Sequence, residues 1–192
     1  MIYVALFLPS EGMSREKESL TARALLSDFY INIFGSEPPK IKKSELGKPY
    51  FDFPSSPPFS ISHSDGAVAV AISDENADVG IDVQSEIEAE KACRISHRFP
   101  FVKERFFEKI ANVCVFKAAL NRDGFSFEEL SVSPCQKNEF TLWWTSTEAV
   151  LKADGGGFTS SKKLDELEKI CSVFSFEENG IYVSLAVLGR YM

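Results

Sequence analysis

Residues 59–84 carry the pattern that most restricts the fold. In residues 59–64, Phe, Ile and His alternate with three serines, and Asp65-Gly66 offers a tight turn before the returning segment Ala67–Ser73. Val79–Gln84 then alternates again. A period of two suits β-strands, whose successive side chains point to opposite faces. These residues therefore predict a β-hairpin followed by a third strand.

A strand and a helix are predicted before this hairpin. The apolar run Ile2–Leu8 predicts a strand, and Ser14–Phe34 predicts an amphipathic helix that ends at Gly35. The apolar positions at helical spacing are Leu20, Ala24, Ile31 and Phe34. Strand, helix and three strands together predict an α+β layer in which one helix covers an antiparallel sheet.

The second half of the chain repeats this mixture without visible sequence repetition. Helical patterns run to about Arg98 and again from Val102 to Asn121. The elements predicted after them are strands Glu128–Val132 and Phe140–Trp144, a helix Ser146–Asp154, and a closing hairpin of Ile170–Phe176 and Ile181–Leu188. Because no flexible linker is visible, we expect an N-terminal lobe (1–96) and a C-terminal lobe (97–192) that pack as one unit.

Charge and composition exclude several classes of protein. The formal net charge is −7, which disfavours general nucleic-acid binding, although a predicted loop from Lys40 to Pro49 is locally basic. The longest apolar run, Ile2–Leu8, is too short to span a bilayer. The 4 cysteines form no CxxC pair, so a zinc ribbon or a redox dithiol is not expected. We expect a reduced, cytoplasmic protein.

Two segments carry candidate chemistry. On the predicted strand Val79–Gln84, Asp82 shares a face with Gly80 and Gln84, and a glycine beside a carboxylate could leave room for a cation. A solvated acidic edge is the alternative. In the second segment, Thr145-x-x-Glu148 fits a helix capping box, and Glu148 and Lys152 fit an ordinary i,i+4 pair. Neither segment alone indicates an enzyme.

The ordered set of motifs resembles the 4′-phosphopantetheinyl transferases, in particular the larger, surfactin-synthetase-type group. The residues that carry the resemblance are Leu46-Gly47-Lys48-Pro49-Tyr50, Phe59-Ser60-Ile61-Ser62-His63-Ser64, Gly80-Ile81-Asp82-Val83, Arg98-Phe99 with Glu104, and Trp144-x-x-x-Glu148-Ala149-x-x-Lys152-x-x-Gly155. The resemblance implies an α+β fold of two pseudo-symmetric lobes, each a small antiparallel sheet packed against a helix. It also implies a monomer, because the second lobe supplies what another subunit supplies in smaller relatives.

The resemblance implies Mg²⁺-dependent transfer of 4′-phosphopantetheine from coenzyme A to a serine of an acyl or peptidyl carrier protein, with adenosine 3′,5′-bisphosphate as by-product. The implied magnesium ligands are Asp82, Glu148 and Gln84, and Glu148 is also the implied general base, acting directly or through water. Lys152 would meet the pyrophosphate. The residues implied at the 3′-phosphate and adenosine end of coenzyme A are Arg23, Lys48, Ser62 and His63. The resemblance implies neither a nucleic acid nor a membrane as a binding partner.

Two positions depart from the family pattern. Gln84 replaces a second acid, which lowers the negative charge available to a metal, and Thr147 replaces the lysine of a Lys-Glu pair. A homologue that binds coenzyme A without transferring is therefore the alternative, and a metal-dependent phosphoester hydrolase ranks third. Because carrier proteins are acidic, a local rim is expected to dock them, with candidates Lys103, Arg105 and Phe106.

Overall fold

The computed structural model describes residues 1–9, 12–75, 77–105, 107–110, 112–135 and 139–189. The strands are β1 (Ile2–Phe7), β2 (Ile41–Lys43), β3 (Pro49–Phe51), β4 (Phe59–Ser64), β5 (Ala67–Ser73), β6 (Asp78–Ser85), β7 (Glu108–Lys109), β8 (Val113–Asn121), β9 (Gly124–Glu129), β10 (Cys171–Glu178) and β11 (Ile181–Leu188). The helices are α1 (Arg15–Phe34), α2 (Ala89–Arg98), α3 (Phe140–Asp154) and α4 (Leu164–Leu167), with a 3₁₀ segment at Gly157–Lys163.

Two sheets pack face to face, and each carries a helix on its outer face. Sheet 1 has the strand order β4-β5-β1-β8-β9, and sheet 2 has the order β6-β11-β10-β7. Val4 and Ala69 of sheet 1 meet Ile81 and Leu185 of sheet 2 in the central core. The opposite face of sheet 1 packs on α1, and that of sheet 2 packs on α3. Burial of apolar surface on both sides of each sheet holds these layers together.

The expected α+β class is confirmed, and each sheet takes strands from both halves of the sequence. In sheet 1, β1 pairs antiparallel with β5 and parallel with β8, which follows much later in the chain. In sheet 2, β6 pairs antiparallel with β11. Strand β6, which follows the β4–β5 hairpin, thus pairs with β11 of the closing hairpin and not with β5. The division into lobes 1–96 and 97–192 stays a prediction.

The two predicted hairpins are confirmed. Strands β4 and β5 meet at Asp65-Gly66, and β10 and β11 meet at Asn179-Gly180, with positive φ at all four turn residues. That backbone geometry matches the twist of the flanking strands. The predicted basic loop differs, because part of it forms the small hairpin of β2 and β3.

Helix α1 has the predicted bounds but buries another face. Ser14 caps its first turn by accepting a hydrogen bond from the Lys17 amide, and Gly35 ends it with φ of 68°. However, the predicted apolar position Leu20 is 63% exposed. The residues buried against sheet 1 include Ala22, Leu25, Leu26 and Phe29. This set has the i, i+3, i+4, i+7 spacing of one continuous stripe, which the predicted set lacks.

The predicted strand Glu128–Val132 is displaced, because β9 spans Gly124–Glu129. Two further predicted elements in the C-terminal half are wrong. None of the described residues of the predicted helix Val102–Asn121 is helical, and residues 113–121 form strand β8 because they complete sheet 1 beside β1. Phe140–Trp144 forms the first turns of α3 and not a strand, since Trp144 packs in a buried cluster with Ile87 and Val102. Tertiary packing overrides local propensity in both places. No helix within the described ranges is long and apolar enough to cross a membrane.

Candidate functional site

A close approach between β6 and α3 creates the candidate site. Gly80 lies against the backbone of α3, where a Cβ atom would collide with the Ala149 carbonyl oxygen and the Ala153 nitrogen. The expectation that this glycine leaves room for a ligand is therefore wrong, because the helix backbone fills the space. The contact brings the next same-face residue of β6, Asp82, up to the side chains that α3 presents.

Asp82 is the buried centre of the site. Its side chain is 2% exposed, and its Oδ1 accepts hydrogen bonds from Lys152 Nζ at 2.6 Å and from Ser62 Oγ at 2.9 Å. Its other oxygen, Oδ2, is buried and has no hydrogen-bond partner among the described residues. A carboxylate oxygen that leaves water without a partner is costly, so Oδ2 is a ready acceptor for a cation or a proton.

Glu148 lies beside Asp82 on the α3 side. Burial, together with the negative charge of Asp82, raises the pKa of the Glu148 carboxyl to about 8, although the ammonium of Lys152 opposes the shift. Once protonated, Glu148 can donate a hydrogen bond to the Asp82 carboxylate, which also favours the protonated form. Without a bound metal ion, the Asp82–Glu148 pair therefore retains a proton at neutral pH.

The two carboxyl groups fit a divalent cation. Mg²⁺ prefers one or two protein carboxylates together with phosphate oxygens and waters, and this pair offers two acids and one unpartnered buried oxygen. The described residues contain no group of three or more His, Cys, Asp or Glu that could hold a metal by itself. The third implied ligand, Gln84, lies two residues beyond Asp82, and its Oε1 accepts a hydrogen bond from Ser64 Oγ at 3.1 Å.

Serines of β4 connect the edges of the two sheets at this site. Ser60 Oγ accepts the Ile81 amide at 3.0 Å, and Ser62 Oγ accepts the Val83 amide at 3.3 Å. Ser62 Oγ also accepts from Lys152 Nζ at 2.9 Å. The two hydroxyls thus accept hydrogen bonds from backbone amides at the edge of β6 where, among the described residues, no neighbouring strand of sheet 2 is present. Ser62 lies between Asp82 and Lys152 and contacts both, and its contact with coenzyme A stays a prediction.

A cavity of about 230 Å³ opens beside Lys152. Its lining includes Lys48, Phe59, Lys152 and Gly155. Lys48 Nζ donates to the Ala153 carbonyl oxygen near the end of α3 at 2.6 Å and lies 3.4 Å from Asp78. Burial lowers the pKa of Lys48, and the charge of Asp78 opposes that shift. Two ammonium groups therefore border one cavity next to the acid pair.

A second cavity of about 360 Å³ adjoins the first, since both are lined by Gly47, Pro49 and Ile61. Its lining also contains a histidine and several cationic side chains, namely Arg23, Lys42, Lys43 and His63. Arg23 and His63, which the resemblance assigns to one end of coenzyme A, thus line the same cavity, and their contact with coenzyme A stays a prediction. The basic hairpin β2–β3 closes one side, which gives an acidic protein a local cationic groove.

Sequence reasoning missed the role of Glu18. This acid lies on the buried face of α1, and its Oε2 is 3.0 Å from His63 Nδ1. Its Oε1 accepts the Gly66 amide at 2.6 Å. An acid in the first turn of a helix is usually a helix-dipole contact, so position alone gave no signal. The contact depends on the hairpin β4–β5, which only the fold brings to α1.

Several predicted side chains have other functions or lie elsewhere. Thr145 is not a cap residue, because its hydroxyl donates to the Thr141 carbonyl oxygen inside α3 and contacts Ser184 Oγ. Thr147 is buried, and its Oγ1 has no hydrogen-bond partner within the described ranges.

Arg105 is wrong as a docking residue, because its side chain is 4% exposed and is paired with Asp165 and Glu168. Lys103 is exposed, and Phe106 lies outside the described residues.

The contact between Glu148 and Asp82 should make the stability of the metal-free protein depend on pH. Because the folded-state pKa of Glu148 is raised from 4.5 to about 8, its contribution to stability is complete below about pH 4.5 and is lost as the pH rises through about 8. Glu148→Gln imitates the protonated side chain, so the variant should gain stability relative to the wild type as the pH rises, by at most about 1.4 kcal/mol per pH unit. Urea unfolding with a chelator, at several pH values, measures this difference. A difference that is independent of pH would contradict the burial of Glu148 beside Asp82.

Comparison with known proteins gives one informative similarity. No protein-family model matches the chain. The chain is 33% identical over 141 residues to 4′-phosphopantetheinyl transferase gsp of Aneurinibacillus migulanus, a match that covers 72% of this chain and 48% of that protein. The chain thus spans about half the length of this curated relative. The similarity supports the resemblance that the motifs predict, to the 4′-phosphopantetheinyl transferase superfamily and its surfactin-synthetase-type group.

Proposed function

We propose that this protein transfers 4′-phosphopantetheine from coenzyme A to a serine of an acyl or peptidyl carrier protein, with Mg²⁺, and releases adenosine 3′,5′-bisphosphate. The observation that carries the proposal is the convergence of Asp82 from β6 with Glu148 and Lys152 from α3, beside the cavity that Lys48 also lines. Two acids and two ammonium groups in one place suit a reaction at a pyrophosphate, where negative charge must be neutralised.

The proposed roles follow from what each side chain can contact. Asp82 Oδ2 and Glu148 would hold the magnesium ion, which supplies positive charge to the pyrophosphate oxygens when it is bound. Lys152 would leave Asp82 to meet the same oxygens, since it is 33% exposed and lines the cavity. Gln84 would reach the ion only if the hydrogen bond from Ser64 Oγ to its amide oxygen were broken.

Glu148 is the proposed general base, directly or through one water. The serine oxygen forms a bond to the β-phosphorus, the bond from that phosphorus to the bridging oxygen breaks, and the serine proton passes to Glu148. Adenosine 3′,5′-bisphosphate leaves with the bridging oxygen. Burial beside Asp82 raises the pKa of Glu148 to about 8 in the metal-free protein, and a bound cation would favour the ionised carboxylate, which is the form that accepts the proton.

The second cavity is the proposed site for the 3′-phosphate and adenosine end of coenzyme A. Arg23 and His63 line it together with two lysines of β2. Lys48, assigned to the same end from the resemblance, borders the first cavity and so would contact the diphosphate side more easily. A monomeric state, a cytoplasmic location and the absence of nucleic-acid and membrane partners are proposed as well. The 4 free cysteines fit a reducing compartment.

The second candidate is a homologue that retains coenzyme A without transferring its arm. Gln84 supplies no negative charge, and its oxygen is already bonded to Ser64. The buried Thr147 supplies no cation. These two observations favour weakened catalysis, whereas the acid pair and Lys152 favour activity.

A mass measurement tests the proposal. Purified protein is incubated with coenzyme A, Mg²⁺ and a panel of apo carrier proteins from fatty-acid, polyketide and peptide synthesis. We expect at least one carrier to gain the mass of one phosphopantetheine at its serine. Coenzyme A binding by calorimetry without modification of any carrier would support the second candidate. Breakdown of coenzyme A in the absence of carrier would instead indicate a hydrolase.

A further inference from the structure

A buried carboxylate holds one side of the His63 ring. Glu18 is 6% exposed, and its two oxygens have different partners. Oε1 accepts the amide of Gly66 in the β4–β5 turn, and Oε2 lies 3.0 Å from His63 Nδ1. The carboxylate is thus fixed at both ends, by α1 that carries it and by the hairpin that carries His63.

This arrangement fixes which ring nitrogen is available to a ligand. A carboxylate oxygen only accepts hydrogen bonds, so Nδ1 carries a proton and donates it to Glu18. Nε2 lies on the opposite edge of the ring, and His63 lines the cavity of about 360 Å³. Pairing of the far ring nitrogen with a carboxylate is the device by which proteins set the tautomer and orientation of a histidine.

The rest of the cavity favours an anion. Arg23 of α1 and Lys43 of β2 line it, and Lys42 lines it while pairing with Asp52 at 2.8 Å. Once the ring carries both protons, Nε2–H can donate to an anion while Nδ1–H stays on Glu18. A phosphate monoester has three acceptor oxygens and suits such a set of donors.

We propose that Glu18 is a positioning residue that orients His63 toward the 3′-phosphate of coenzyme A, so that preference for the 3′-phosphorylated cofactor depends on this buried acid. The inference rests on the proposed function, since it takes coenzyme A as the ligand of the cavity. Glu18 itself touches no substrate and acts through His63.

Calorimetry with two ligands tests the energetic consequence. Dephospho-coenzyme A lacks only the 3′-phosphate. We expect the wild type to prefer coenzyme A and His63→Ala to lose about tenfold of that preference, the size of one hydrogen bond to a charged group. Glu18→Ala removes the carboxylate that holds the ring, so it should lose a similar share, and the double variant no more than His63→Ala alone. Affinity for dephospho-coenzyme A should stay the same, which also shows that the variants are folded.

Glu16→Ala is the matched control, because Glu16 lies in the same first turn of α1 but is exposed. It should leave both affinities unchanged. If Glu18→Ala keeps the wild-type preference while His63→Ala loses it, the inference is wrong and the proposed function stands. If the wild type binds neither ligand, the proposed function fails as well.

A spectroscopic measurement on the unligated protein is independent of any affinity. The chain has 2 histidines, His63 and the exposed His97, so imidazole ¹⁵N resonances are readily assigned. We expect the neutral His63 ring to carry its proton on Nδ1. In Glu18→Gln, an amide group that keeps its oxygen on Gly66 turns its NH₂ toward Nδ1, so the proton should move to Nε2. A wild-type ring protonated on Nε2 would overturn the inference.

Discussion

Glu148→Gln should reduce the rate of phosphopantetheine transfer by about a thousandfold or more, a loss comparable to that of one preorganised charge-stabilising group in other active sites. The substitution keeps the size of the side chain but removes both a proposed metal ligand and the proposed base. Asp82→Asn should have an effect of the same order. The amide of Asn carries no negative charge, so it cannot neutralise a cation at the position of the buried Oδ2. Single-turnover mass measurements with one carrier and excess coenzyme A give the rates.

Folding defects do not explain these losses if the account is correct. Glu148→Gln is expected to be at least as stable as the wild type near pH 8, because the neutral amide relieves the like-charge contact with Asp82. Glu86→Gln is a matched control, since Glu86 is an exposed acid just after β6. It should keep wild-type activity. Variants of Glu148 or Asp82 that retain activity within about tenfold of the wild type would remove both residues from the catalytic centre.

Gly80→Ala should have the largest effect on stability. A Cβ at this position collides with backbone atoms of Ala149 and Ala153, and backbone atoms in a packed helix cannot move aside as a flexible side chain can. We expect a loss of about 3 kcal/mol or more in the free energy of unfolding, at the upper end of overpacking effects. Because α3 would have to shift away from β6, Asp82 and Glu148 would separate, and activity should fall even in the fraction that folds.

Gly12→Ala serves as the control for this substitution. A Cβ at Gly12 meets no atom within 4 Å, and its φ does not require glycine. Urea unfolding should therefore give nearly the wild-type free energy for Gly12→Ala. Equal stability of the two variants would show that β6 and α3 do not touch at Gly80.

The sequence predicts best where one physical pattern decides the local structure. In β6, Val79, Ile81 and Val83 alternate with polar residues, and the structure buries all three between the sheets. The turns at Asp65-Gly66 and Asn179-Gly180 were equally clear, because few residues adopt positive φ. By contrast, β8 contains the helix-favouring stretch Lys117–Leu120, and its pairing with β1 and β9 makes it a strand.

The candidate site shows a different limit. Asp82, Glu148 and Lys152 were linked by the resemblance and not by spacing, since more than sixty residues separate the first from the others. Their contact depends on the approach of β6 to α3 at Gly80, a glycine that the sequence analysis associates with room for a cation and not with helix packing. The position of Ser62 between Asp82 and Lys152, and that of Glu18 behind His63, depends on which elements pack together. Periodicity along one strand or helix contains no such information.

The central claim is that Asp82 and Glu148 bind one divalent cation together. Titration with Mn²⁺, followed by electron paramagnetic resonance in the presence of coenzyme A, measures this most directly. We predict one tight site in the wild type, a loss of at least tenfold in affinity in Asp82→Asn and in Glu148→Gln, and little further loss in the double variant, because each acid alone leaves the site incomplete. Wild-type affinity in either single variant would contradict a shared ion and, with it, the proposed catalytic centre.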